Sequence, residues 1–269
     1  MNDGYITISP HFDPNPNSFR TFTVTFFSTP ITTTVTATPS VVRDWLHRVL
    51  RTHSCRRHKL VVGLGVQWNP FSSDHPPPAA TLQLCIGRQC LIFQLLYVDA
   101  VPLSLRRFLE DPRNTFVGVW NHSDRDKLYS SHHELSVSRL VDARDVAAAR
   151  YGLSRQLSME NLAQHFLGAG GVKKPERIGA SAWDAYWLSP EQVQYACVDA
   201  YVSFELGKSM EVWDWDEYED GVEFEYEDGV EFEDEDEYED GVEFEDEDEY
   251  EDGVEFRVEF EDSDEYEDF

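Results

Sequence analysis

The charge of this chain is divided, and the division decides which part can fold. Of 52 acidic residues in 269, 34 lie from Glu211 onward beside one base, Arg257; residues 1–210 hold the other 18 acids and 21 bases. A stretch that is more than half acid repels itself too strongly to close over a core. It is also repetitive: Glu-Asp-Gly-Val-Glu-Phe recurs from Glu219, Glu227, Glu239 and Glu251, at intervals of 8, 12 and 12 residues. Val-Glu-Phe-Glu alternates like a strand, but repulsion and the intervening glycines oppose a stable sheet, so the tail reads as disordered low-complexity sequence. It would serve to solubilise the chain, to bind a basic protein, or to lie over a basic groove as a nucleic-acid mimic. The overall charge of −30 describes neither part.

The fold must therefore come from the first 210 residues, enough for one substantial α/β domain. No apolar run approaches the roughly 18 residues of a membrane span. The start, Met-Asn-Asp-Gly-Tyr, lacks the basic and apolar regions of a signal peptide. Cys55, Cys85, Cys90 and Cys197 are too scattered for a secreted disulfide framework. Cys85 and Cys90 could pair across a hairpin or share a metal site, but buried thiols in a reducing compartment are the expectation. These features point to a soluble intracellular protein, nuclear or cytoplasmic.

Within the body, Phe22, Val24 and Phe26 alternate with threonines, Ser28-Thr29-Pro30 turns the chain, and Ile31, Val35 and Ala37 face one way in a second strand. Ser40 then offers a cap to a helix whose Val41, Val42, Trp45, Leu46, Val49 and Leu50 make one stripe. The run Leu60–Trp68 is apolar throughout and reads as a strand buried on both faces. Thr81–Ile86 and Cys90–Leu96 form a second hairpin around Gly87-Arg88-Gln89. Helix Pro102–Glu110, strand Thr115–Val119 and helices beginning at Asp124, Val141 and Leu157 follow; Gly168–Gly171 ends the last of these. Ser189, Pro190 and Glu191 signal the start of a final helix reaching about Ser209. Hairpins first, then strands alternating with helices, predict a mixed sheet flanked by helices.

That last helix carries Tyr195 and Asp199 four residues apart, a rise of about 6 Å with a small angular offset, so both side chains leave one face. In context the segment from Ser181-Ala182-Trp183 through Leu188-Ser189-Pro190 to Tyr195-Ala196-Cys197-Val198-Asp199-Ala200-Tyr201 resembles the third motif of the DEDDy 3′–5′ exonucleases. These are the ribonuclease D and Werner-type enzymes, and the plant Werner-like branch is the most similar. Phe116-Val117-Gly118-Val119 with Asp124 and Leu128 resembles their second motif, and Val61–Trp68 stands where the first belongs. The resemblance covers roughly residues 20–210. It implies an N-terminal segment (1–20), an exonuclease-like domain (21–210) with a ribonuclease H-like, mixed five-stranded sheet flanked by helices, and the acidic repeat tail (211–269).

It also implies a chemistry. Family carboxylates hold two Mg²⁺ or Mn²⁺ ions about 4 Å apart for phosphodiester hydrolysis at a 3′ end. Carried onto this chain, Asp124 and Asp199 would be metal ligands and Tyr195 would position the water. The first motif departs from the family's Asp-x-Glu: this chain reads Gly65-Val66-Gln67. Two charges then face cations that four should neutralise, so metal binding and hydrolysis are expected to be weak or absent. Asp74, in the loop after the strand, is a conceivable substitute acid. Lys173, Lys174 and Arg177 are candidate nucleic-acid contacts. Asp142 reads as a helix cap and His132-His133-Glu134 as a solvated loop. The competing function is that of a non-enzymatic interaction protein, with the fold as scaffold and the tail binding basic partners.

Overall fold

In the computed structural model, the structure describes residues 6–12, 15, 17–73, 76–172 and 174–215. The strands are β1 (Ile6–Pro10), β2 (Phe19–Phe26), β3 (Thr29–Thr36), β4 (Leu60–Gln67), β5 (Thr81–Ile86), β6 (Gln89–Gln94), β7 (Asn114–Gly118) and β8 (Leu140–Asp142). Helices α1 (Pro39–Thr52), α2 (Leu103–Glu110), α3 (Asp124–Tyr129), α4 (Ala143–Tyr151), α5 (Met159–Leu167), α6 (Glu176–Gly179) and α7 (Pro190–Ser209) surround them. The strands make one sheet in the order β1-β2-β3-β6-β5-β4-β7-β8. The expected five strands are β4 to β8, and three more extend the sheet past β6. Of these, β1 pairs antiparallel with β2 from Ile6↔Phe26 to Pro10↔Phe22, so the sheet begins well before residue 21.

β4 lies parallel to β7 and antiparallel to β5, β5 antiparallel to β6, and β6 parallel to β3. Strands β3, β4, β6, β7 and β8 therefore all finish at the same end of the sheet. That end carries the candidate site. α7 lies across the sheet, buried on nearly all sides, which is why its apolar residues show no simple stripe.

Several local expectations need correction. The first hairpin turns at Phe27-Ser28, two residues before Pro30, with Phe27 at φ 54°. α1 starts at Pro39 rather than behind Ser40: Thr38 is the extended cap residue, and proline's fixed φ suits the first helical position. His133 is not solvated; it is buried, with Nε2 2.9 Å from the Leu95 carbonyl oxygen. Asp142 does cap α4, accepting from the Arg144 N–H at 2.9 Å. Cys85 and Cys90 sit opposite each other in the β5–β6 hairpin, and both are free, buried thiols. Cys197 of α7 joins them, accepting from the Thr33 hydroxyl at 3.1 Å, and burial pushes the thiols of Cys85 and Cys197 up.

Packing continues beyond residue 210. Met210 and Val212 are buried, Trp213 and Trp215 pack on the core, and Arg150 donates to the Met210 carbonyl at 2.7 Å. The disorder expected of the acidic repeats falls outside the described residues. Among the described residues, no helix is long and apolar enough to cross a membrane.

Candidate functional site

The register of β4 sets the site. Successive side chains alternate faces, and the odd-numbered positions Val61, Gly63, Gly65 and Gln67 all meet α7. A Cβ on Gly63 would lie 1.8 Å from the Ala200 carbonyl oxygen, so only glycine lets the helix seat on the strand. Gly207 fits against Val61 and Val117 in the same way. α7 therefore runs antiparallel to β4, with Asp199 facing Gly65 and Gln67 at the strand's end. A capping box between Ser189 and Gln192 fixes the helix start, one turn before Tyr195.

Both Asp199 oxygens are engaged. The Lys174 ammonium donates to Oδ1 at 2.7 Å and the Gln67 amide donates to Oδ2 at 3.3 Å. Where Gly65 lacks a side chain, an ideal Cβ would stand 3.4 Å from Asp199 Oδ2 and 2.7 Å from Oε1 of Gln83. Gln83 is Gly65's register partner on β5; its amide is buried, with Nε2 donating to the Thr81 hydroxyl at 2.6 Å and Oε1 lacking a donor. The space beside Gly65 is thus taken by a neutral amide.

Asp124 opens α3 and is buried. Burial and the neighbouring Asp199 carboxylate push its carboxyl up to about 8, against the partial help of Lys174. Burial works against the Lys174 ammonium, but Asp199 and Tyr195 outweigh it and raise its pKa. That ammonium also lies 5.1 Å from the Tyr195 ring centroid. Burial raises the Tyr195 phenol too, and its ring tilts against Trp183 at 5.8 Å.

Asp124, Tyr195, Asp199, Lys174, Gly65 and Gln67 are thus brought together. Arg177 is exposed on α6. Lys173 and Asp74 lie outside the described residues. Asp142 is committed to Arg144 through a salt bridge at 2.6 Å, and the Arg144 guanidinium covers the Trp120 ring at 3.5 Å.

The donors present do not fit a two-cation centre. One carboxylate, Asp199, is held by an ammonium and an amide, the second, Asp124, is buried, and the facing positions of β4 are a glycine and an amide donor. Among the described residues, no three His, Cys, Asp or Glu side chains are grouped to hold a metal ion. Hard divalent cations need anionic oxygens free to turn toward them. The arrangement can instead hold a fixed, hydrogen-bonded polar surface at the sheet's end, with Lys174 supplying the positive charge that a cation would.

Sequence reasoning missed the pairing of Lys174 with Asp199 and the placement of Gln83. Lys174 reaches the site from a loop 25 residues before its partner, where no periodicity marks it. Gln83 was findable in principle, since hairpin register sets it beside Gly65 once the β4–β5 pairing is known.

Comparison with known proteins bears on the family and the fold. A family model described as 3′-5′ exonuclease matches residues 52–212. A 3′-5′ exonuclease of Arabidopsis thaliana is 30% identical over 149 residues, covering 55% of this chain and 51% of its own. The mouse bifunctional 3′-5′ exonuclease/ATP-dependent helicase WRN is 28% identical over 143 residues, covering 52% of this chain and 10% of its own. The match thus spans about half of one relative and a tenth of the other. Among solved structures, Escherichia coli RNase D superposes with a TM-score of 0.50 at 18% identity, over 62% of this chain and 43% of its own. The catalytic core of Trypanosoma brucei RRP6 gives 0.52 at 16%, over 66% and 46%. These neighbours share the ribonuclease H-like fold.

Proposed function

We propose that this chain, which belongs to the 3′–5′ exonuclease family, binds the 3′ end of a nucleic acid at the Asp199 cleft and hydrolyses it weakly or not at all. One observation carries the reading: Asp199 is held on both oxygens by Lys174 and Gln67, facing a Gly65 with no carboxylate to offer. In the family's chemistry Mg²⁺ or Mn²⁺ activates water and steadies the leaving oxygen. On this reading Asp124, Asp199 and Tyr195 stand for the family's residues while Gly65 and Gln67 bring no charge to the cations, so binding outlasts hydrolysis. Free, buried cysteines favour an intracellular setting, nuclear or cytoplasmic, as part of the same proposal.

The test is a nuclease assay with Mg²⁺ or Mn²⁺ on end-labelled single- and double-stranded oligonucleotides. Wild type is run beside Asp199→Asn and the double variant Gly65→Asp/Gln67→Glu. Activity appearing only in the double variant supports the proposal. Wild-type activity that Asp199→Asn abolishes defeats it.

A second reading is favoured by the tail's composition alone. With 34 acids to one base from Glu211 onward, the tail is a polyanion suited to a basic protein partner. A salt-sensitive association with a basic protein that vanishes on removing residues 219–269 would support it.

A further inference from the structure

The sheet end that carries Asp199 also carries three large rings that solvent reaches. Tyr97 is 39% exposed, Tyr186 44% and Trp187 53%. They form a continuous ladder: Tyr97 and Tyr186 meet at 5.0 Å and 88°, Tyr186 and Trp187 at 4.9 Å and 89°. The Arg20 guanidinium stands 4.8 Å from the Trp187 ring.

Topology places this ladder beside the site. Gln67 and Gln94 are the last residues of β4 and β6, which end together. Phe19, next to Arg20, pairs with Thr36 at the end of β3. The loop bearing Tyr186 and Trp187 is tied across these ends. Gln94 donates to the carbonyls of Ala185 and Tyr186 at 3.3 and 2.9 Å. Asn69, two residues beyond Gln67, donates to both carboxylate oxygens of Asp184 at 3.0 Å. The Tyr97 hydroxyl donates to the Asp184 carbonyl, and Arg20 donates to that of Leu188 at 3.3 Å. The same loop leads directly into α7 and Tyr195. The rings are therefore exposed on anchored backbone, and the Asp184 carboxylate beside them is turned onto the Asn69 amide.

We propose that Tyr97, Tyr186, Trp187 and Arg20 form a stacking platform for a single-stranded nucleic acid whose 3′ end reaches the Asp199 cleft. The inference rests on the nucleic-acid reading above and adds strand state and path to it. Sequence-tolerant recognition of single strands uses this combination: ring faces for unpaired bases and a guanidinium beside them for stacking and phosphate attraction. A duplex keeps its base faces stacked inside and gains nothing from the rings. A protein partner would use the same rings without regard to strand state, which the test separates.

The full-length chain is titrated, at low salt and in EDTA, against a labelled 12-nucleotide mixed-sequence single strand and against the same sequence as a blunt duplex, with fluorescence anisotropy as readout. Tyr186→Ala/Trp187→Ala is expected to weaken single-strand binding about tenfold or more and leave duplex binding within about twofold. Trp187→Phe should retain most of the affinity, and Tyr151→Ala, an exposed ring elsewhere on α4, should change nothing. Tyr186→Ala alone serves if the double variant fails to fold. Variants that bind single strands as wild type does, or that lose single strand and duplex equally, overturn the platform. Wild type that binds neither overturns the proposed function itself.

Discussion

At the scale of single residues, the two glycines of β4 are not equivalent, and the difference bears on what the site could accept. Gly63 is imposed by packing, because its missing Cβ is where the Ala200 carbonyl lies. Gly65 is not: the nearest atom is the free end of the Gln83 side chain, which can turn away. Gly63→Ala is expected to destabilise by about 3 kcal/mol or more, and Gly65→Ala by about 1 kcal/mol or less, as measured by denaturant unfolding. The fold therefore does not require a glycine at 65 as it does at 63. Asp124 gives a second residue-scale prediction. An unfolded aspartate titrates near pH 4, but this one titrates at about 8 in the fold. Between those values the folded chain holds a proton that the unfolded chain has released. Asp124's contribution is whole below about pH 4 and is lost as pH rises toward 8. In EDTA, wild-type stability should fall relative to Asp124→Asn by up to about 4 kcal/mol from pH 5 to pH 8, at roughly 1.4 kcal/mol per pH unit. A constant difference between the two curves would contradict the raised value. Tyr195 and Asp199 were singled out by their likeness to the family's third motif; the helical period adds only that i and i+4 share a face. Lys174 was not, because its partnership depends on where a loop returns in space.

At the scale of elements, legibility followed burial. β4, the β5–β6 hairpin and α7 were readable because sheet, turn and cap each leave a local mark: an unbroken apolar run, Gly87 between alternating strands, and Ser189 before Pro190. β1 was not, since Ile6-Thr7-Ile8-Ser9-Pro10 is short, largely exposed and held by pairing with β2, so its order comes from the neighbour. α6 spans only Glu176–Gly179, too short for a period to register. The start of α7 matters most, because one cap orients the turn that presents Tyr195 and the strand-facing turn that presents Asp199. Ser189 accepts from the Gln192 N–H at 3.2 Å, and Gln192 returns the bond to the Ser189 N–H at 2.9 Å. Ser189→Ala is expected to cost about 1 kcal/mol. Amide hydrogen exchange should rise in the first turn of α7, while the middle of the helix, packed on β4, stays protected. Uniform acceleration along α7 would mean that the cap holds more than its own turn.

At the scale of the whole molecule, the division of charge sets how nucleic acid can approach. The body to residue 210 has a small excess of bases, with the Lys174 ammonium fixed in the cleft and Arg20 at the aromatic ladder, while the tail is a polyanion covalently attached to it. Competition between the tethered acid and nucleic acid for these basic groups is the expected outcome, and being electrostatic it should weaken as the screening length shrinks from about 10 Å at 0.1 M salt toward 3 Å at 1 M. Core packing through Val212 and the two tryptophans beyond it shows where a cut should fall: a deletion beginning at residue 211 would remove part of the core. Removing residues 219–269 should leave the thermal midpoint of the body within a few degrees of the full chain. It should strengthen single-strand binding at least severalfold at about 50 mM salt and make little difference near 0.5 M, because only the low-salt arm lets the tail's field reach the cleft. Equal affinities at both salts would mean that the tail does not compete with nucleic acid, leaving a basic protein as the partner its charge suits.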